Sequence, residues 1–108
     1  MSSLVFNRAS FAPADDAEGE TIVVAFSYDD AGTALAGTAR LLRTVRDGRP
    51  EYLLMPSRWT DDLALADAIR DYAIVADQTR KPGQDTVRLR LEMQLHGTVG
   101  DGGDLTGD

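Results

Sequence analysis

"TVRLRLEMQLHG", residues 86–97, alternates apolar and polar side chains through His96. Val87, Leu89, Leu91, Met93 and Leu95 fall on one face of an extended chain; Arg88, Arg90, Glu92, Gln94 and His96 fall on the other. Strand side chains point alternately to opposite sides, so this pattern is that of a half-buried β-strand. A parallel sheet covered by helices would be apolar on both faces of its strands. The alternation predicts an α+β fold, an antiparallel sheet carrying one main helix, with Leu91 on the buried side.

Working back from this strand, "YAIVADQT", residues 72–79, reads as its hairpin partner, with a turn at Lys81-Pro82-Gly83-Gln84. Tyr72 then faces Met93, Ile74 faces Leu91, Ala76 faces Leu89 and Asp77 faces Arg88. A slip of one residue would set Ile74 against Arg90, so the pairing parity is well specified. Before this long C-terminal hairpin, Leu63, Ala66, Ile69 and Ala73 have helical spacing. They predict a helix over about residues 60–71, with Thr60 as N-cap and Asp61 and Asp62 in the first turn.

Earlier in the chain, "ETIVVAFSY", residues 20–28, is apolar on consecutive positions and rich in β-branched residues, as in a central strand covered on both faces. Residues 2–6 read as a short edge strand, 12–20 as a surface loop, and "EYLLMP", 51–56, as a strand ended by Pro56. Segment 31–46 reads either way. As a helix it aligns Ala31, Leu35, Thr38, Leu42 and Val45, at the cost of two internal glycines and three threonines. As a strand it turns back at Asp47-Gly48, a strong hairpin dipeptide, although Arg43 breaks the alternation. Residues 1–96 are expected to form one domain, and 97–108 a Gly- and Asp-rich tail, flexible when free.

Composition narrows the chemistry. At 108 residues, 43% hydrophobic and 27% charged, the chain is of a size and balance for one folded core. There is no cysteine and His96 is the single histidine, which excludes thiolate catalysis, Cys-based metal sites and multi-histidine sites. The acidic pairs Asp15-Asp16, Asp29-Asp30 and Asp61-Asp62 have the character of turn formers and caps, and no phosphate-binding glycine loop is present. No cofactor or metal is therefore expected. The longest apolar runs are too short to cross a membrane, and no secretory signal is visible, so the default location is cytoplasmic. A formal net charge of −7 argues against direct nucleic-acid binding and against contact with anionic lipid.

The candidate contact residues are Arg88, Arg90, Glu92 and His96 on the polar strand face, together with Trp59, which either anchors a partner or seals the helix onto the sheet. The Asp-Gly turn at 47–48, a strand ending in Pro56 and the long hairpin "AIVADQTRKPGQDTVRLRLEMQ" follow in an order similar to coat proteins of small RNA bacteriophages. The similarity covers about half the chain, and the pair of C-terminal helices by which those proteins dimerise is missing here. It implies an assembly role, in a virion for example. The sequence thus points to a non-enzymatic structural subunit or small adaptor that works by self-assembly or by binding a protein partner. The alternative is an acidic inhibitor, immunity-type protein or nucleic-acid mimic that blocks a basic partner site. A small enzyme using His96 as its base stands third.

Overall fold

The computed structural model describes residues 2–14, 19–30 and 32–95. Strands β1 (Ser2–Pro13), β2 (Glu20–Asp30), β3 (Thr33–Arg46) and β4 (Arg49–Leu54) precede helix α1 (Leu63–Thr79), which is followed by β5 (Thr86–Val87) and β6 (Leu91–Leu95). The strands form one sheet in the order β4-β3-β2-β1-β5, with β6 also on β1, and every pairing is antiparallel. The fold is α+β, as the alternation at 86–96 predicts.

Within segment 31–46, residues 33–46 form a strand, β3, pairing with β2 from Asp30↔Thr33 to Glu20↔Arg43. It turns back through Asp47 and Gly48, at φ 53° and 77°, the left-handed pair that a two-residue hairpin needs. Its internal glycine has a packing reason. Gly37 lies under the Trp59 ring, and a Cβ there would overlap that ring. β1 is not a short edge strand. It runs for 12 residues, pairs with β2 on one side and with β5 and β6 on the other, and bulges between Phe6 and Arg8.

The C-terminal hairpin is corrected. Residues 72–79 do not form a strand but continue α1 to Thr79. The buried set Leu65, Ile69, Tyr72, Ala73 and Ala76 carries the helical stripe straight through the point where the sequence reading ended it. Abundant alanine favours that outcome. The start moves as well. Asp62, not Thr60, caps the helix, its Oδ1 accepting from the Leu65 amide at 3.1 Å. The turn at 81–84 is present, with the Gln84 amide donating to the Lys81 carbonyl at 2.9 Å, but it leads out of a helix.

The strand at 86–95 takes β1 as its partner: Val87 opposes Ala9, Leu91 opposes Phe6 and Met93 opposes Leu4. The pairing lapses at residues 88–90, opposite the β1 bulge. The face assignment survives the change of partner. Val87 is buried, and Leu89 and Met93 pack against the core. Leu91 is the exception, 37% exposed at the sheet edge beyond the helix.

The core lies between α1 and one face of the sheet: Leu4, Phe6, Ala9 and Phe11 from β1, Ile22, Val24 and Phe26 from β2, Ala39 and Leu41 from β3. Tyr72 stacks on Phe6 with ring centroids 4.4 Å apart. Because β3 is packed against Trp59 at Gly37, Gly37→Ala should destabilise the fold by about 1–3 kcal/mol in a denaturant titration, a typical overpacking cost. The same exchange at a glycine with open space and ordinary φ would be close to neutral.

Candidate functional site

Two places on the molecule gather polar chemistry. The first is a cleft of about 970 Å³ at the C-terminal end of α1, lined by Phe11, Glu20, Arg43, Tyr52, Asp77 and Arg80 among others. Asp77 is its centre, with a side chain only 7% exposed. Arg43 Nε donates to Asp77 Oδ2 at 2.6 Å, Arg80 Nε lies 3.1 Å from Oδ1, and the Tyr52 hydroxyl also donates to Oδ2. Arg80 reaches on to Glu20 with both terminal nitrogens, and its guanidinium lies 4.1 Å above the Phe11 ring. The cluster draws on β2, β3, β4 and α1 at once.

Each charge in it already has a partner. Burial alone would lower the Arg43 pKa, but its hydrogen bonds to Asp77 and Tyr52 outweigh that and hold it above the usual arginine value. Hydrogen bonding to Glu20 raises Arg80 in the same way. Burial, reinforced by donation to Asp77, raises the Tyr52 hydroxyl above its ordinary 10.0. Two arginines matched to two carboxylates leave no free cation within the cluster, and Lys81, exposed at the rim of the cleft, stands outside it. Cysteine is absent from the chain and the described lining holds no histidine, so the cleft offers neither of the most readily activated nucleophile and base. Physically, the cluster is a clasp that fixes the end of the helix against three strands.

The second place is the sheet face turned away from α1. Pairing parity puts Val5, Ser10, Val23, Ala25, Ser27, Ala36, Thr38, Leu42 and Leu53 there. Leu53 is 60% and Met55 42% exposed, and Leu53 stands directly opposite Leu42. A shallow cleft of about 560 Å³ crosses this face, lined by Arg8, Ala25, Ser27, Ala36 and Thr38, with Arg58 and Trp59 at its border. Among the described residues, Arg8, Arg40 and Arg58 form no salt bridge.

The residues singled out from sequence do not form one site. Arg88 is exposed in the β5–β6 connection. Arg90 is 3.5 Å from Glu92, which opposes Val5 on β1. Asp77 does not face Arg88, since it belongs to the clasp. His96 and the tail lie outside the described residues. The Trp59 ring lies in the core, 8% exposed and edge-on to Phe26 at 5.0 Å, with Arg58 4.6 Å above it. Sequence reasoning set Asp77 against Arg88, passed over Arg80, and met Arg43 only as a break in alternation. Among the described residues, no three histidine or acidic side chains converge as a metal site would require, and no helix is long and apolar enough to cross a membrane. Comparison with protein-family models, curated proteins and solved structures finds no match to this chain.

Removing Asp77 would leave two partly buried arginines sharing Glu20 as their one carboxylate. Asp77→Ala should therefore cost roughly 3 kcal/mol by thermal or denaturant unfolding, near the low end for a broken buried pair because the arginines keep some water. Tyr52 supplies a pH signature. Its folded-state pKa is raised, so its contribution is complete below pH 10, the unfolded value, and is lost as pH rises through the folded value. Tyr52→Phe should be less stable at pH 8 by about 0.5–3 kcal/mol and should show a shallower stability loss above pH 10 than the parent chain.

Proposed function

We propose that the protein is a non-enzymatic structural or assembly subunit, acting through protein–protein contact on the uncovered face of its sheet. One observation carries this proposal. The consecutive apolar run "TIVVAF" of β2 is the sequence of a strand covered on both sides, yet α1 covers only one. Val23 and Ala25 are half-buried by their neighbours alone, with Arg40 opposite Val23 and Arg8 opposite Ala25, and Leu42 and the exposed Leu53 and Met55 lie farther toward the β4 edge. Exposed apolar side chains interleaved with arginine are the anatomy of a protein interface rather than of a wetted surface. The cytoplasm or an assembled particle is the setting this role implies.

A second reading has its own observation. The solvent side of α1 and its N-terminus carry exposed Asp61, Asp62, Asp67 and Asp71 against Arg70 alone. Such a surface could block a basic site on another protein, and its binding would weaken steeply with salt.

The test is the mass of the protein in solution, by light scattering across a range of concentrations. The parent chain should form a defined oligomer or higher assembly. Val23→Asp with Leu53→Asp should leave a monomer whose circular dichroism is unchanged, because both positions lie outside the core. A mass indifferent to the double exchange would remove the sheet face from the proposal.

A further inference from the structure

The exposed arginines of the sheet and the exposed aspartates of the helix lie on opposite sides of the molecule, with Asp29 an acidic exception on the sheet face and Arg70 a basic one on the helix. On the uncovered sheet face, Arg46 is 3.5 Å from Glu51 and Arg90 is 3.5 Å from Glu92, which leaves Arg8, Arg40, Arg49 and Arg58 without an ion pair among the described residues. Arg8 and Arg58 line a cleft floored by small side chains, Ala25, Ser27, Ala36 and Thr38, and Arg40 stands opposite Val23 on the same face. On the far side of the molecule, α1 presents Ala64, Asp67, Asp71 and Val75 to solvent along one stripe. The Asp67 side chain is 73% exposed and only loosely paired, 3.7 Å from the exposed Arg70, Asp71 forms no salt bridge among the described residues, and Val75 is 41% exposed. Asp67 and Asp71 are one helical turn apart and so project together.

Resting on the assembly role proposed above, we infer that the occupant of the sheet face is the acidic stripe of α1 from a second copy of the chain, so that copies stack head to tail. Charge complementarity selects this occupant. Two sheet faces brought together would oppose Arg8 and Arg40 to their own like charges, whereas sheet against helix opposes them to Asp67 and Asp71. The shapes agree as well. A helix stripe of alanine and aspartate can approach closely over a floor of alanine, serine and threonine, and Val75 brings an apolar side chain toward the apolar part of the sheet face. A nucleic acid suits the face less well. The phenylalanines and tyrosines of the strands, at 6, 11, 26, 28 and 52, all share the parity of the helix-covered side, so none offers a base a ring to stack on.

The contact joins unlike surfaces and is therefore heterologous, giving rings if the rotation closes and filaments if it does not. Two double variants test it by sedimentation at low salt, with folding checked by circular dichroism: Arg8→Glu with Arg40→Glu, and Asp67→Arg with Asp71→Arg. The parent chain should self-associate, and salt should weaken it. Each variant alone should be weakened at least about tenfold, because its sheet and helix faces then carry the same sign. Mixing the two variants should restore assembly, because each face then meets its opposite on the other chain. Should a double variant not fold, the single exchanges Arg40→Glu and Asp71→Arg carry the same test.

If the helix variant assembles like the parent while the sheet variant does not, the contact is sheet to sheet. The head-to-tail inference then falls and the assembly role stands. If the parent assembles and neither variant changes its mass, the head-to-tail inference falls and the assembly role stands without these faces; if the parent is monomeric at every concentration, both fall. A monomeric parent that binds a single-stranded oligonucleotide through Arg8 and Arg40 would replace them with a nucleic-acid role.

Discussion

Tyr72 ties together three parts of the fold that have no other reason to meet. Its ring stacks on Phe6 at 4.4 Å, which presses the middle of α1 onto β1. Its hydroxyl donates to the Leu89 carbonyl at 2.5 Å. Leu89 lies in the short stretch where the C-terminal strand leaves the ladder opposite the β1 bulge, and there its carbonyl has no strand partner. A buried backbone acceptor must be satisfied, and here a helix side chain does it. Burial raises the Tyr72 hydroxyl above its ordinary value, against the pull of that carbonyl, so it stays a donor through the neutral range. The bulge, the gap at 88–90 and the position of the helix are thus one arrangement.

The clasp at the other end of α1 does a different job. Hydrophobic contact holds a helix to a sheet without fixing its rotation or its shift along the strands, because apolar packing is non-directional. Asp77 accepts from β3, β4 and its own helix, and Arg80 carries the link on to β2. Desolvating such a cluster costs much of what its attraction returns, so its net contribution to stability is modest. Its value is geometric, since only one placement of the helix satisfies all the donors. Two anchors, one apolar and one ionic, about one and a half helical turns apart, define how the helix lies.

The class of the fold and the facing of the last strand were legible because period-two alternation is a direct record of burial. The partner of that strand was not. Residues 72–79 carry alternation compatible with a strand and a stripe compatible with a helix. Only the continuation of Ile69 through Tyr72, Ala73 and Ala76 separates them, and that continuation crosses the Asp71 that the sequence reading took as an end. Segment 31–46 was ambiguous for a reason visible only in three dimensions. Gly37 is a gap for Trp59, and Arg43 interrupts the apolar face because Asp77 awaits it there. Both anomalies marked tertiary contacts, from residues 22 and 34 positions away, and a local window contains no trace of those. The candidate contact face was legible in part. "TIVVAF" announced a strand with two covered sides, and α1 supplies one.

A net charge of −7 is an average over surfaces that differ in sign. As a single number it argues for a basic partner and against self-association, because like charges repel at long range. Distributed in space it does neither. The sheet face keeps unpaired arginines and the helix keeps aspartates, so repulsion between whole molecules coexists with attraction between one pair of faces. A one-layer sheet with one helix has two unlike sides by construction, and a contact between unlike sides leaves each molecule with one further face to offer. In a stack of that kind every sheet lies between its own helix and the helix of a neighbour. β2 then has cover on both sides, the condition that its run of consecutive apolar residues describes.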